Sequence, residues 1–445
     1  MSSVCRADRA DSLKALLETA YIDTIKVNLL NGLFDCYVYK NPDIALEYAR
    51  EALNISSRTF YQEGIAKSSN NIGLANYHLG NENVSLEYYF RAVNASSDID
   101  DKRTLAIAYA NIGNLFDDQS NYPKAIEYYS HALDAARKDK DKQRIAYLLN
   151  KFGIIYYEQG YYAKALDYYI RSEKLREELG DKKGMAYVYV NMGVIYDEQK
   201  KYEKSLEFYN KALEINKNIG DKKGTAGILN NIGEIFYAQK QYGNALNYYK
   251  QALAVCEENG LTAFKATALN NIGGVFMAQE KFSEAMEYYN KTLQIQEEIT
   301  DRQGMASTWN SIGKANLENG MFREALKNLQ KSLDIARELG LKDIEKEDYS
   351  DIAAAYAHLE DFTNAFHYKE LFSALNDSLF NKESQKQLAD MQIKYDTEKK
   401  EKEIELLNKE KQLELNNKKN LIYAISIGFL LIVIIAMVSF NSYRH

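Results

Sequence analysis

The sequence predicts an all-α solenoid of helix-turn-helix units with a period of 40 residues, and three features carry that expectation. A tripeptide ending in glycine recurs at fixed spacing, a small residue follows it at constant distance, and only Pro42 and Pro123 interrupt 445 residues. A fixed period of this length marks stacked supersecondary units, because a single helix pair cannot bury its apolar face alone.

The repeating tripeptide reads Asn71-Ile72-Gly73, Asn111-Ile112-Gly113, Lys151-Phe152-Gly153, Asn191-Met192-Gly193, Asn231-Ile232-Gly233, Asn271-Ile272-Gly273 and Ser311-Ile312-Gly313, fading at Asp351-Ile352-Ala353. Twelve residues after the glycine stands Ser85, Ala125, Ala165, Ser205, Ala245, Ala285, Ala325 or Ala365, and Ala45 opens an earlier, divergent copy, giving about nine units. Small residues in these two columns let the paired helix backbones approach closely. Aromatics recur three residues after the glycine (Phe116, Tyr156, Tyr196, Phe236, Phe276, Tyr356) and four after the small residue (Tyr89, Tyr129, Tyr169, Tyr209, Tyr249, Tyr289). They are expected to fill the space between one pair and the next. Each copy holds two stretches with helical apolar spacing, and the segments at Gly180-Asp181, Gly220-Asp221 and Thr300-Asp301 supply helix stop and start signals.

These columns resemble the tetratricopeptide pattern, continued at Ala92, Ala132, Ala212 and Ala252. The units are longer than the usual length of about 34 residues and lack the proline that often closes them. Similar units of 40–42 residues occur in kinesin light chains, spindle-orientation adaptors and bacterial sensor proteins; the resemblance covers about residues 21–375. It implies a superhelix whose concave wall comes mainly from the first helices.

The chain then divides into an N-terminal stub or first helix (1–20), the solenoid (21–380), a charged helix (381–419), a span (421–440) and a short tail (441–445). Lysines and acids interleave over 381–419, with Glu398 four before Lys402 and Glu405 four before Lys409, as on an exposed helix. Leu388, Met391 and Tyr395 follow heptad spacing before Glu398 and Lys402 break it, so a partial coiled coil and a single solvated helix both fit. Leu421 to Phe440 is uncharged over 20 residues, the length that crosses about 30 Å of hydrocarbon as a transmembrane helix. A span preceded by a partial heptad makes a homodimer a reasonable partner state.

Orientation is read two ways. Lys418 and Lys419 before the span outweigh Arg444 after it, which places the repeats in the cytoplasm of a tail-anchored protein. The stretch from Leu375 to Asn381, followed by the run from Lys394 to Leu407, instead resembles the juncture of bacterial tetratricopeptide sensor histidine kinases and transcriptional regulators. That resemblance implies periplasmic repeats in the bacterial inner membrane and a chain that is the sensory half of such a protein. At the other end, Ser2 to Ala7 reads either as the remnant of a signal peptide, with Cys5 and Ala7 at cleavage-site spacing, or as a stub.

The net charge of −7, from 63 acidic and 56 basic residues spread along the chain, offers no basic stripe for nucleic acid. Cys5, Cys36 and Cys256 lack metal-ligand spacing and read as incidental thiols; the five histidines are scattered, and no phosphate-loop, zinc-protease or nucleophile-elbow motif occurs. No cofactor or metal is called for. The chain is read as a binding module; a kinase domain could lie only beyond its C-terminus.

The resemblance directs attention to the residue two before the packing glycine, which often faces the groove in tetratricopeptide proteins. In this chain it is Asn71, Asn111, Asn191, Asn231 and Asn271, with Lys151, Ser311 and Asp351 as exceptions; Asn70, Asn150, Asn230, Asn270 and Asn310 form a second column. Asparagine offers donor and acceptor together, so such a ladder can hold the backbone of an extended peptide whatever its side chains. The same columns could instead join adjacent repeats. Tyr77, Asp117, Tyr157, Asp197 and Tyr237, further groove positions, alternate aromatic and acidic character and point to a ligand with basic and apolar groups. Lysines that clamp a C-terminal carboxylate in chaperone-binding relatives are absent from the Asn70, Asn150 and Asn230 column.

Overall fold

The computed structural model describes residues 7–379, and among these residues every regular element is a helix. The helices are α1 (Ala7–Thr19), α2 (Asp23–Tyr37), α3 (Pro42–Arg58), α4 (Gln62–His78), α5 (Glu82–Asp98), α6 (Lys102–Asp118), α7 (Tyr122–Lys138), α8 (Lys142–Glu158) and α9 (Tyr162–Glu178). They continue as α10 (Lys182–Glu198), α11 (Tyr202–Ile219), α12 (Lys222–Ala238), α13 (Tyr242–Asn259), α14 (Thr262–Ala278), α15 (Phe282–Glu298), α16 (Arg302–Glu318), α17 (Phe322–Leu339) and α18 (Lys342–His358), with a further helical stretch over 362–379. Two compact units divide between Met321 and Phe322. The first carries α1–α16; the second begins with α17.

Punctuation explains the regularity. Asp101, Asp141, Asp181, Asp221 and Asp301 each cap a first helix by accepting from the backbone N–H three residues on, at 2.8–3.0 Å. At the other end, every twentieth residue from Phe60 to Glu360 adopts a left-handed φ. Glycine fills seven of these positions, including Gly180 and Gly220, but Lys140, Lys200, Lys240 and Thr300 occupy the same conformation without its freedom.

Within each pair, the tyrosine of the second helix lies against the glycine of the first. A Cβ on Gly193 would fall 2.5 Å from the Tyr209 ring, and one on Gly233 equally close to Tyr249. The helices approach so nearly that Ser205 Oγ, on α11, donates to the Gly193 carbonyl on α10 at 2.8 Å. The glycine column is therefore the flat seat of a buried ring.

Two expectations are corrected. The aromatics three after the glycine do not fill the gap between pairs; they stack inside their own pair. Phe116 on Tyr128, Tyr156 on Tyr168, Tyr196 on Phe208, Phe236 on Tyr248 and Phe276 on Tyr288 lie 5.3–5.6 Å apart and nearly parallel. Contact between pairs comes from other rings, such as Tyr129 edge-on to Phe152 at 6.0 Å. Cys36 is not an incidental thiol: it is buried at the end of α2 and disulfide-bonded, whereas Cys256 is free and buried.

Among the described residues no helix is long and apolar enough to cross a membrane. The charged helix (381–419), the span (421–440) and the tail lie outside them, as do residues 1–6.

Candidate functional site

The first helices of neighbouring pairs, α2, α4, α6, α8, α10, α12, α14 and α16, contact one another in sequence order over most of the first unit. Their asparagine columns consequently meet across repeats. Asn71 Nδ2 donates to Asn31 Oδ1 at 2.8 Å, where Ser68 Oγ also donates at 3.3 Å. One unit later Asn111 Nδ2 donates to Asn70 Oδ1 at 2.9 Å, and two units beyond that Asn191 Nδ2 donates to Asn150 Oδ1 at 3.2 Å. In the last two pairs the register is the same: an amide of one column gives its N–H to the oxygen of the other column in the preceding repeat, whereas Asn71 and Asn31 belong to one column.

Between α6 and α8 the pattern changes with the sequence. Lys151 replaces asparagine and its Nζ lies 3.2 Å from Asp117 Oδ2. The Tyr129 hydroxyl donates to Asn114 Oδ1 at 2.7 Å, with Asp117 Oδ2 at 3.3 Å, and the Tyr147 hydroxyl reaches the same Asn114 oxygen at 3.0 Å. This cluster satisfies itself. Tyr77 likewise donates to Asp118 of the next repeat.

Further along, between α10 and α14, the polar groups are left with fewer partners. Asn231 meets the hydroxyl of Tyr209, which is 1% exposed. Asn230 Oδ1 and Asn270 Oδ1 are buried atoms with no hydrogen-bond partner. Asp197, on α10, is near enough to Glu234, on α12, for its charge to act on it. Loss of water among the surrounding helices raises both carboxyls above the usual carboxylate range; neighbouring Glu198 adds to the rise at Asp197, and Asp197 adds to that at Glu234, with the Asn271 amide opposing it. Glu234 nevertheless stays exposed, as a group on an open concave face would. Burial, with help from Glu198 and Glu158, pushes the Tyr157 phenol up to about 12. Tyr237, packed 5.8 Å from Tyr242, is raised for the same first reason. Asn310 is buried on α16.

The predicted residues thus share one face of the first helices in the first unit, but they are not equivalent. Asn71, Asn111, Asn150 and Asn191 are joined in cross-repeat pairs; Asn230, Asn231, Asn270, Asn271, Asp197 and Tyr237 gather where those pairs lapse. Sequence reasoning missed Glu234. Its column gave only a weak signal: the residue after the packing glycine varies (Leu74, Asn114, Ile154, Val194, Gly274, Lys314) and is acidic only at Glu234. Among the described residues no group of three or more His, Cys, Asp and Glu side chains could hold a metal ion. His78 packs edge-on against Tyr39 and Tyr77, a packing role, and burial lowers its pKa.

The family model described as Tetratricopeptide repeat matches residues 64–138, 144–218, 184–258, 224–298 and 264–338, together more than half of the chain. The chain belongs to the tetratricopeptide-repeat family. A comparison with curated protein sequences gave no match. Solved tetratricopeptide-like structures similar to this chain include aspartyl phosphate phosphatase F from Bacillus subtilis, 19% identical over 80% of this chain and 95% of that one, with a TM-score of 0.54. A Rap protein complexed with competence and sporulation factor is 17% identical over 84% of this chain and 99% of its own, TM-score 0.52. The apo quorum sensor NprR from B. thuringiensis is 15% identical over 83% and 92%, TM-score 0.52. At these identities the likeness is one of fold.

Proposed function

We propose that this tetratricopeptide chain is a membrane-anchored protein- or peptide-binding module, the sensory input part of a bacterial signal-transduction protein, with its ligand lying along the first helices of the first unit. The observation that carries the reading is the lapse of the amide pairing between α12 and α14: Asn230 Oδ1 and Asn270 Oδ1 remain unpartnered while Asn70 and Asn150 are paired. Buried polar atoms without partners cost about 1–3 kcal/mol each, a cost that an extended backbone laid across them removes. Two solved neighbours are a Rap protein complexed with competence and sporulation factor and a quorum sensor, which fits this class of role.

Anchoring rests on the uncharged run from Leu421 to Phe440. The disulfide at Cys36 favours an oxidising compartment and hence periplasmic repeats. The competing reading, a non-switching tail-anchored scaffold with cytoplasmic repeats, draws on Lys418 and Lys419 before the span. Acid-quenched cells separate the two: Cys36 should be alkylated only after reduction, and alkylation before reduction favours the scaffold.

For the site, changing Asn191, Asn231 and Asn271 together to alanine should abolish capture of octapeptides from a random array by the full chain in detergent micelles, with helical circular dichroism retained. Undiminished capture would refute the asparagine ladder as the binding element.

A further inference from the structure

The repeats contain an internal control for the chemistry of the groove. Asp117 and Asp197 occupy the same column two units apart, and each is followed 34 residues later by the residue that faces it from the next first helix. For Asp117 that residue is Lys151, whose ammonium lies 3.2 Å from the carboxylate. For Asp197 it is Asn231, which carries no charge, and the amide is turned to Tyr209. One step along α12, where the earlier copy has Ile154, stands Glu234. The first site holds one carboxylate and its own cation; the second holds two carboxylates and none. Neither Asp197 nor Glu234 takes part in any of the chain's described ion pairs, and the influences acting on them are burial and other acids, with only an amide in opposition.

A second feature points to a ligand independently of the charge. Asn230, one helical turn before Glu234 on the same face of α12, is 4% exposed, and its Oδ1 has no partner. Its counterparts Asn70 and Asn150 each accept from the asparagine of the following repeat. That register aims Asn230 Oδ1 at Asn271, whose amide lies against Glu234. The acceptor therefore faces the amide that touches the Glu234 carboxyl.

The geometry points to a cation-binding subsite at Asp197, Glu234 and Asn230 that takes an ammonium or guanidinium group of a bound peptide, in the place that Lys151 Nζ fills two repeats earlier. Two neighbouring carboxylates with no internal cation attract a positive group, and a guanidinium or ammonium also supplies N–H donors for the waiting Asn230 oxygen. Tyr157 and Tyr237, half-buried and exposed respectively, offer ring faces on which the attached aliphatic stem can lie. The cation could come from a Lys or Arg side chain or from a free amino terminus; the chemistry is the same.

This subsite rests on the reading of the first-helix face as a peptide groove, and one experiment separates the two claims. The full chain in detergent micelles is applied to an array of random octapeptides, each present with a free and with an acetylated amino terminus. Bound peptides should be enriched in Lys and Arg; enrichment confined to free termini would assign the subsite to the terminal ammonium instead. Asn231→Lys installs the missing internal cation and should lower the ratio of cationic to cation-free peptides captured at least tenfold. Glu234→Gln, which leaves the packing unchanged, should lower it several-fold. Lys151→Asn should leave the preference intact or strengthen it, since it uncovers Asp117. Peptides bound with no cationic preference, or a preference that survives Asn231→Lys, would overturn the subsite but spare the groove. Capture of no peptide would overturn both.

Discussion

Replacing Gly193 by alanine should destabilise the first unit, whereas the same replacement at Gly274 should stabilise it. A Cβ at Gly193 meets Tyr209 Cε1 at 2.5 Å and Cδ1 at 2.6 Å. The ring is rigid, 1% exposed, and backed by the close α10–α11 approach that Ser205 Oγ marks, so it has little room to give. Overpacking of this kind costs about 1–3 kcal/mol, and the gain in helix propensity from glycine to alanine returns about 1 kcal/mol. The net is a loss of up to about 2 kcal/mol. Gly274, inside α14, has nothing within 4 Å of its would-be Cβ, leaving only the gain of about 1 kcal/mol. Urea titration followed by helical circular dichroism reads the total, and amide exchange in α10 and α11 reads the local loss, which matters because repeat arrays often unfold in parts. Equal stabilisation by both alanines would show that the tyrosine does not hold the glycine column in place.

Two further predictions follow from backbone and charge. Thr300 is a β-branched residue at φ 54°, so Thr300→Gly should raise stability by about 1 kcal/mol in the same titration, and a loss would mean that its hydroxyl contributes more than its strain costs. Glu234 has a carboxyl raised above its unfolded value, so the folded chain holds its proton more tightly and stability falls as pH rises from the ordinary carboxylate value through the raised one. Glu234→Gln should therefore be more stable than the parent at pH 7 and no more stable at pH 3, as followed by thermal melts. A gain that is the same at both values would remove the carboxylate from the explanation.

The architecture was legible because its causes are local. Period, packing glycine and Asp caps are each fixed by a few residues, and Gly180 and Gly220 announced their turns. Lys140, Lys200 and Lys240 hold the same left-handed turn with no residue type to announce it; the turn there is imposed by the helices on either side. The aromatic columns were visible, but their partners were not, since Phe116 on Tyr128 and a ring placed against the next pair have the same spacing in the chain. The asparagines were found and only half understood. Whether an amide faces a ligand or the neighbouring repeat depends on which oxygen lies within reach, and the pairs Asn70–Asn111 and Asn150–Asn191 form only once the helices are stacked. Glu234 escaped because a repeat is read by what its copies share, and this residue matters by departing from them. The disulfide at Cys36 was hidden for a related reason: three scattered cysteines carry no spacing signal.

The central claim, that a ligand lies along the first helices, is tested most directly by where it crosslinks. A photoreactive benzoylphenylalanine in place of Tyr237 on α12, 39% exposed, should trap a captured octapeptide. The same group in place of Ile170 on the second helix α9, 56% exposed, should trap none. Crosslinking at 170 without crosslinking at 237 would contradict the account.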